Sequence, residues 1–154
     1  MNTQEINKIL QRCHMTSAQY VGCVPSDRIP RLSMPLPHCM VVNVDSSSMP
    51  GSHWVAIYVQ SLHEVEYFDS LGDWPPRSRH IRRFMRRFSS VRRCIQPMQS
   101  DRSSACGKHV IYFLCHRCQG WTMHRILRHL KRCNTRPDRV VSAFSRKFIF
   151  NAWE

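Results

Sequence analysis

Residues 53–72 read HWVAIYVQSLHEVEYFDSLG. His53–Gln60 is a β-rich run of Trp, Val, Ile and Tyr. Glu64–Asp69 carries a second such run, and the short link Ser61-Leu62-His63 joins them. This spacing predicts two antiparallel strands closed as a hairpin, which puts a sheet at the centre of the fold. Antiparallel pairing sets the first residue of one strand near the last residue of the next. His53 and Asp69 are therefore expected side by side at one end of the sheet.

Upstream, Cys39–Val44 (CMVVNV) is an unbroken apolar run, the pattern of a buried strand, and DSSSMPGS (45–52) reads as a turn or loop. Residues 22–38 contain Gly22, Pro25, Pro30, Pro35 and Pro37, which predicts a loop-rich cover. The N-terminal segment has Ile6, Ile9 and Leu10 on one helical face. Downstream, LGDWPP closes the strand unit. RSRHIRRFMRRFSSVRR (77–93) then places Ile81, Phe84, Met85 and Phe88 on one side of a helix and arginines on the others. Cys94–Gln99 reads as a short strand-like piece and SDRSSA (100–105) as a loop. Three helices follow. The first starts near Cys106, buries Val110, Ile111, Phe113 and Leu114, and stops at Gly120. The second runs from Thr122 to Cys133 with Met123, Ile126, Leu127 and Leu130 inward. The third starts at Pro137 with Val140, Val141, Phe144 and Phe148. The predicted fold class is α+β, a small central mixed sheet flanked by helices, with residues 1–154 as a single domain.

Composition limits what such a domain does. With 154 residues, 42% hydrophobic and 21% charged, the chain has material for a sizeable core and is neither disordered nor collagen-like. No apolar run reaches the ~18 residues of a membrane span, so no membrane partner is expected. The polar start MNTQEINKIL lacks the apolar stretch of a secretory signal. The eight cysteines are then expected as reduced thiols serving packing, catalysis or metal binding rather than as a disulfide framework. Net charge is +13, mostly from arginine, and the excess lies between residues 74 and 137, where Asp101 is the single acid. A basic half on a near-neutral half suits a polyanion, nucleic acid first, with a solvated basic surface as the plainer alternative.

Cys106 is the best-placed nucleophile. It follows a polar loop and begins an apolar helix, where the positive end of the helix dipole favours a thiolate. Gly107 beside it would let a substrate approach the backbone. Asp69 is placed to orient the His53 imidazole. Gln99 precedes Cys106 by a short loop, and its side-chain N–H would join the Cys106 backbone N–H as an oxyanion hole. Asp73 and Glu66 are the alternative acids.

The strings QSDRSSACG (99–107), GSHW (51–54) and YFDSLG (67–72), with YVGCVPSDRIP (20–30) and CMVVNV, resemble the adenovirus endopeptidase (adenain) family. That family belongs to the same clan as the ubiquitin-like-protein proteases. The likeness runs from about Tyr20 to Gly120. It implies a papain-like-clan thiol protease with His53, Asp69, Gln99 and Cys106 in the family's order. Two departures stand out. Asp69-Ser70-Leu71-Gly72 resembles the modifier proteases, whereas Ala105 directly before Cys106 is as in adenain. The mixture resembles proteases of adenovirus-related viruses or virus-like DNA transposons. The resemblance further implies cleavage of precursor capsid or core proteins after small residues during particle maturation, in the host nucleus and the virion. It implies DNA as a sequence-independent cofactor, which Arg79, Arg82, Arg83, Arg86 and Arg87 would contact. It also implies an activating viral peptide that attaches by a disulfide, with Cys94 as its local counterpart. No metal or organic cofactor is expected.

Two other classes compete. A protease of ubiquitin-like modifiers would share the nucleophile. A nucleic-acid-binding module, with or without zinc, would use the basic half. Cys115 and Cys118 have zinc-ligand spacing, with His116, His124, His129 and Cys133 nearby, but the interval from Cys118 to His124 is too short for a C2H2 finger and both cysteines fall inside a helical pattern.

Overall fold

The computed structural model describes residues 1–31, 33–132 and 136–150, with side chains through Phe148. Its elements are α1 (Thr3–Arg12), β1 (Tyr20–Pro25), a 3-10 turn (Ser26–Arg28), β2 (His38–Asn43), β3 (Trp54–Val59), β4 (Glu64–Phe68), α2 (Arg79–Met85), β5 (Ser90–Arg93), α3 (Cys106–Cys118), α4 (Met123–Arg132) and α5 (Pro137–Phe150). The five strands form one sheet in chain order. The predicted hairpin β3–β4 is antiparallel, as is β2–β3, while the outer pairs β1–β2 and β4–β5 are parallel. The sheet is therefore mixed, and the fold is α+β as expected.

Alternation along the strands divides the core. Cys39, Val41, Ala56, Tyr58 and Phe68 face α1, α3, α4 and α5, whereas Met40, Val42, Val55, Ile57 and Tyr67 face Ile81, Phe84, Met85 and Phe88. The helix α3 lies inside the first layer and is buried almost all round from Cys106 to Cys115. Phe113 stacks on Phe68 at 4.5 Å, which seats the middle of α3 on β4. At the other end of the layer, α1 is closed by a capping box in which Asn2 and Glu5 satisfy one another's backbone N–H groups.

Three expectations are corrected. The segment after Gly22 is not all loop. Residues 20–25 form an edge strand, parallel to β2, with a register irregularity between Tyr20 and Gly22. An edge strand tolerates both the glycine and Pro25, which read as breakers in isolation. The arginine-rich helix is shorter than 77–93. Ser78 caps its start, it ends at Met85, and Ser90–Arg93 turn extended to pair with Glu64–Tyr67. Helical periodicity in that stretch yields to an open sheet edge. Finally, Cys94–Gln99 is not a strand. It leaves the sheet and turns back over the residues that follow β4. Of the helices, α4 ends its described span at Arg132, and Cys133 lies outside the described residues.

Gly72 shows why that return is possible. Its φ is +72°, and a Cβ there would sit 2.9 Å from the backbone of Gln96 and Pro97. The turn after β4 and the loop before Gln99 touch backbone to backbone at this point. Gly72→Ala should push them apart. We expect a loss of roughly 1–3 kcal/mol in unfolding free energy from the positive φ and the backbone clash together. Denaturant titration of the purified variant measures it, and an unchanged midpoint would contradict the tight approach.

Candidate active site

β3 begins at Trp54, so His53 stands just outside the strand, and Asp69 stands just past the end of β4. The antiparallel register brings them together: His53 Nε2 lies 2.8 Å from Asp69 Oδ1, with side chains 14% and 3% exposed. Asp69 Oδ1 also accepts the Leu71 N–H at 2.8 Å, which fixes the carboxylate in the turn. The two alternative acids are committed elsewhere. Glu66 accepts from Arg117 Nε at 2.6 Å, and Asp73 pairs with Arg77 at 3.1 Å.

Cys106 is the first residue of α3, and its N-cap Ala105 has no capping side chain, so the first-turn N–H groups and the helix dipole act on the thiol without competition. With Nε2 held by Asp69, the other ring nitrogen of His53 is the one left for Cys106, and the two side chains are near enough for each to shift the other's titration. Burial pushes the imidazolium down, but the hydrogen bonds and charges of Asp69 and Cys106 outweigh it and hold His53 up to about 9. Burial likewise pushes the Cys106 thiol up, and the His53 contact, with the backbone N–H groups of Trp54 and Gly107, brings it net below the ordinary thiol range. Both shifts favour a thiolate beside an imidazolium.

Gln99 is tied to the turn after β4. Ser70 is fully buried, and its carbonyl accepts the N–H groups of Met98 and Gln99 at 2.8 and 2.9 Å. Its hydroxyl donates to Gln99 Oε1 at 2.7 Å, while Gln99 Nε2 donates to the Ser103 carbonyl at 2.5 Å. The amide is thereby oriented, with one Nε2 hydrogen left to give. Asp69 and Ser70 are adjacent, so one turn holds both the histidine and the glutamine. Ser70 was not among the residues picked from the sequence. Its signal is the DSLG string, which carries the resemblance to the modifier proteases but does not say what the serine bonds.

Two further expectations change. A Cβ on Gly107 would meet Met1 Sδ at 3.1 Å and Ile6 Cδ1 at 3.4 Å, so the missing side chain admits the N-terminal segment rather than a substrate. Cys94 is fully buried, burial pushes its thiol up, and its S–H donates to the Gln96 carbonyl at 3.1 Å. A disulfide to a separate peptide needs that sulfur at the surface, and residues 94–96 would have to move first.

Beside His53 a cleft of about 320 Å³ opens, lined among others by Val44, Asp45, Tyr67, Asp69 and Leu71. Cys115 and Cys118 do not converge on a metal: Cys115 Sγ lies 3.9 Å from Cys13 Sγ and Cys118 Sγ 3.7 Å from Cys39 Sγ. Among the described residues no group of three or more His, Cys, Asp or Glu side chains is arranged to hold a metal ion. Of the arginines, Arg79, Arg83, Arg86 and Arg87 are exposed, but Arg82 turns inward and donates to the carbonyls of Pro76 and Arg77 at 2.7 and 2.6 Å. Arg82 is therefore a clamp on the turn before α2 and leaves the expected basic face.

No family model matches the chain. Over 39 residues it is 49% identical to the cysteine protease S273R of African swine fever virus, a stretch that is 23% of this chain and 14% of that protein. A crystal structure of the African swine fever virus pS273R protease aligns with a TM-score of 0.49 at 18% identity, covering 82% of this chain and 61% of that one. The chain thus spans less than two thirds of the length of the relatives it matches. In sequence, over those 39 residues, it is similar to a viral cysteine protease.

Proposed function

We propose that this protein is a cysteine endopeptidase of the adenain type that cleaves precursor proteins of a virus or virus-like element during particle maturation. The observation that carries the reading is the His53–Asp69 contact at 2.8 Å, together with Cys106 at the start of α3, where His53 lowers its thiol. The Cys106 thiolate attacks the scissile carbonyl. The oxyanion takes hydrogen bonds from the Cys106 N–H and the remaining Gln99 Nε2 hydrogen. His53 gives its proton to the leaving amine, and water, deprotonated by the same imidazole, then cleaves the thioester.

The test is cleavage of a short fluorogenic peptide amide with glycine before the scissile bond, run beside candidate capsid precursors and a ubiquitin-like-modifier conjugate. Activity is expected to disappear in step with alkylation of Cys106. Turnover of the modifier conjugate in preference to the precursors would move the reading to the modifier proteases, and no turnover of any substrate would refute it.

DNA binding belongs to the same reading. Arg79, Arg83, Arg86 and Arg87 project from or just beyond α2, and no acid lies between Asp73 and Asp101 to neutralise them. Guanidinium groups in this density suit phosphate oxygens. Sequence-independent binding should weaken by orders of magnitude between low and physiological salt. Replacing these four arginines with Gln should flatten the salt slope while basal peptide cleavage survives. An unchanged slope in a titration at several salt concentrations would clear this face of the role.

A further inference from the structure

His109 is fully buried one turn behind Cys106 on α3, and it faces the start of α5. Its Nε2 lies 2.7 Å from Asp138 Oδ1. The second oxygen of the same carboxylate accepts the backbone N–H of Ser100 at 3.2 Å. Burial outweighs the Asp138 contact and holds the His109 imidazole below its ordinary pKa. A neutral ring with its proton on Nε2 donates to the carboxylate, so Asp138 receives two donors at once. One comes from the helix that carries the nucleophile, the other from the residue next to Gln99.

We infer that Asp138, braced by His109, is a positioning residue for the oxyanion hole: it ties the Gln99–Ser103 loop to the catalytic helix so that the Gln99 amide and the Cys106 N–H converge on one oxygen. The inference rests on the protease reading above. From the β4 side the loop is held by Ser70, which bonds both the backbone and the amide oxygen of Gln99. On the other side the Asp138 carboxylate holds Ser100. Without it, the glutamine is tied toward α3 only within the loop itself, through its Nε2 bond to the Ser103 carbonyl, and the loop as a whole can shift against the helix, which loosens the distance between the two oxyanion donors. The effect belongs to the step in which negative charge develops on the carbonyl oxygen. It leaves thiolate formation alone, because His53 and Asp69 are held through β3 and β4.

That separation makes the test. Iodoacetamide alkylation of Cys106 needs the thiolate but builds no oxyanion, whereas peptide hydrolysis, and binding of a peptide aldehyde as a hemithioacetal, need both. In Asp138→Ala, kcat and aldehyde affinity should each fall by about 10-fold to 10²-fold, a misplaced oxyanion donor being costly. The rate and pH profile of Cys106 alkylation, and KM, should stay as in the unaltered protein. Asp138→Asn offers one acceptor to two donors and should fall between. Lys108→Met is the control. It removes another bond between α3 and α5, from Lys108 Nζ to Ser142 Oγ at 3.2 Å, without touching the loop, and should lower the melting temperature but not kcat. If Asp138→Ala does not fold, the Asn variant carries the same measurements. A kcat within twofold of the unaltered protein, or parallel falls in hydrolysis and alkylation, would overturn the inference. An unaltered protein that alkylates at Cys106 yet cleaves no peptide would instead overturn the protease reading beneath it.

Discussion

Cys106→Ala should remove peptide hydrolysis altogether, a fall of at least about 10⁴-fold in kcat, since loss of the nucleophile leaves only binding and the oxyanion donors. The fold should persist. Residue 106 is a small buried position at the head of a helix whose later residues, from Val110 to Cys115, make the core. The same sulfur should be the first of the eight cysteines to react with iodoacetamide at neutral pH. Burial raises the thiols of Cys23 and Cys94, and their thiol neighbours together with burial raise those of Cys39 and Cys115. Two thiols compete: Cys13, which the hydrogen bond from Cys115 lowers to about 6 but which is packed in the core, and Cys118, which is partly exposed and lowered by its hydrogen bond from Cys39. Mass-spectrometric labelling against time, with residual activity followed in the same samples, decides the order. Inactivation that tracks Cys13 or Cys118, or is spread evenly over the cysteines, would remove Cys106 from the mechanism.

His53→Ala should cost nearly as much, about 10³-fold to 10⁴-fold in kcat, because the base, the acid and the counter-ion of the thiolate leave together. It also changes a titration. With His53 present, the thiolate–imidazolium pair persists from below the ordinary thiol range up to about pH 9, where the raised histidine loses its proton. Without it, Cys106 keeps the burial that raises its pKa and loses the largest lowering influence, so alkylation near pH 7 should slow sharply and recover only in alkali. The sign for stability follows the same shift. His53 titrates higher in the folded protein, at about 9, than its ordinary 6.5. Its stabilising contribution is whole below pH 6.5 and is lost as pH rises through 9. Denaturant midpoints of the unaltered protein and His53→Ala should therefore converge between pH 6.5 and 9. Asp69→Asn should lie between the two in activity, since the amide keeps the contact and loses the charge. Divergence of the midpoints with rising pH would mean that His53 is not held protonated in the fold.

Much of this arrangement was readable from residues alone, where one local pattern carries the information. The strands β2, β3 and β4 follow from runs of β-branched and aromatic residues, and the hairpin that joins His53 to Asp69 follows from a three-residue link between two of them. Cys106 at a helix start follows from a polar loop giving way to an apolar helix. Each of these depends on neighbours in the chain.

Tertiary pairing decided the rest. Tyr20–Pro25 and Ser90–Arg93 became strands only because the two edges of the sheet were open to them; by composition one is a breaker-rich loop and the other the tail of an arginine helix. The same holds within the site. The choice of Asp69 over Glu66 and Asp73 rests on the β3–β4 pairing, which sets its carboxylate 2.8 Å from His53, while Glu66 is held by Arg117. The orientation of Gln99 depends on Ser70, 29 positions away, and the tie from Ser100 to α3 depends on Asp138, 38 positions away. Sequence by itself determined which candidate side chains the chain carries and on which element ends they sit, because the thiol, the imidazole and the carboxylate are marked by local pattern. Only the tertiary structure decided which polar groups hold them in place, because hydrogen bonds between distant segments leave no periodicity in the chain.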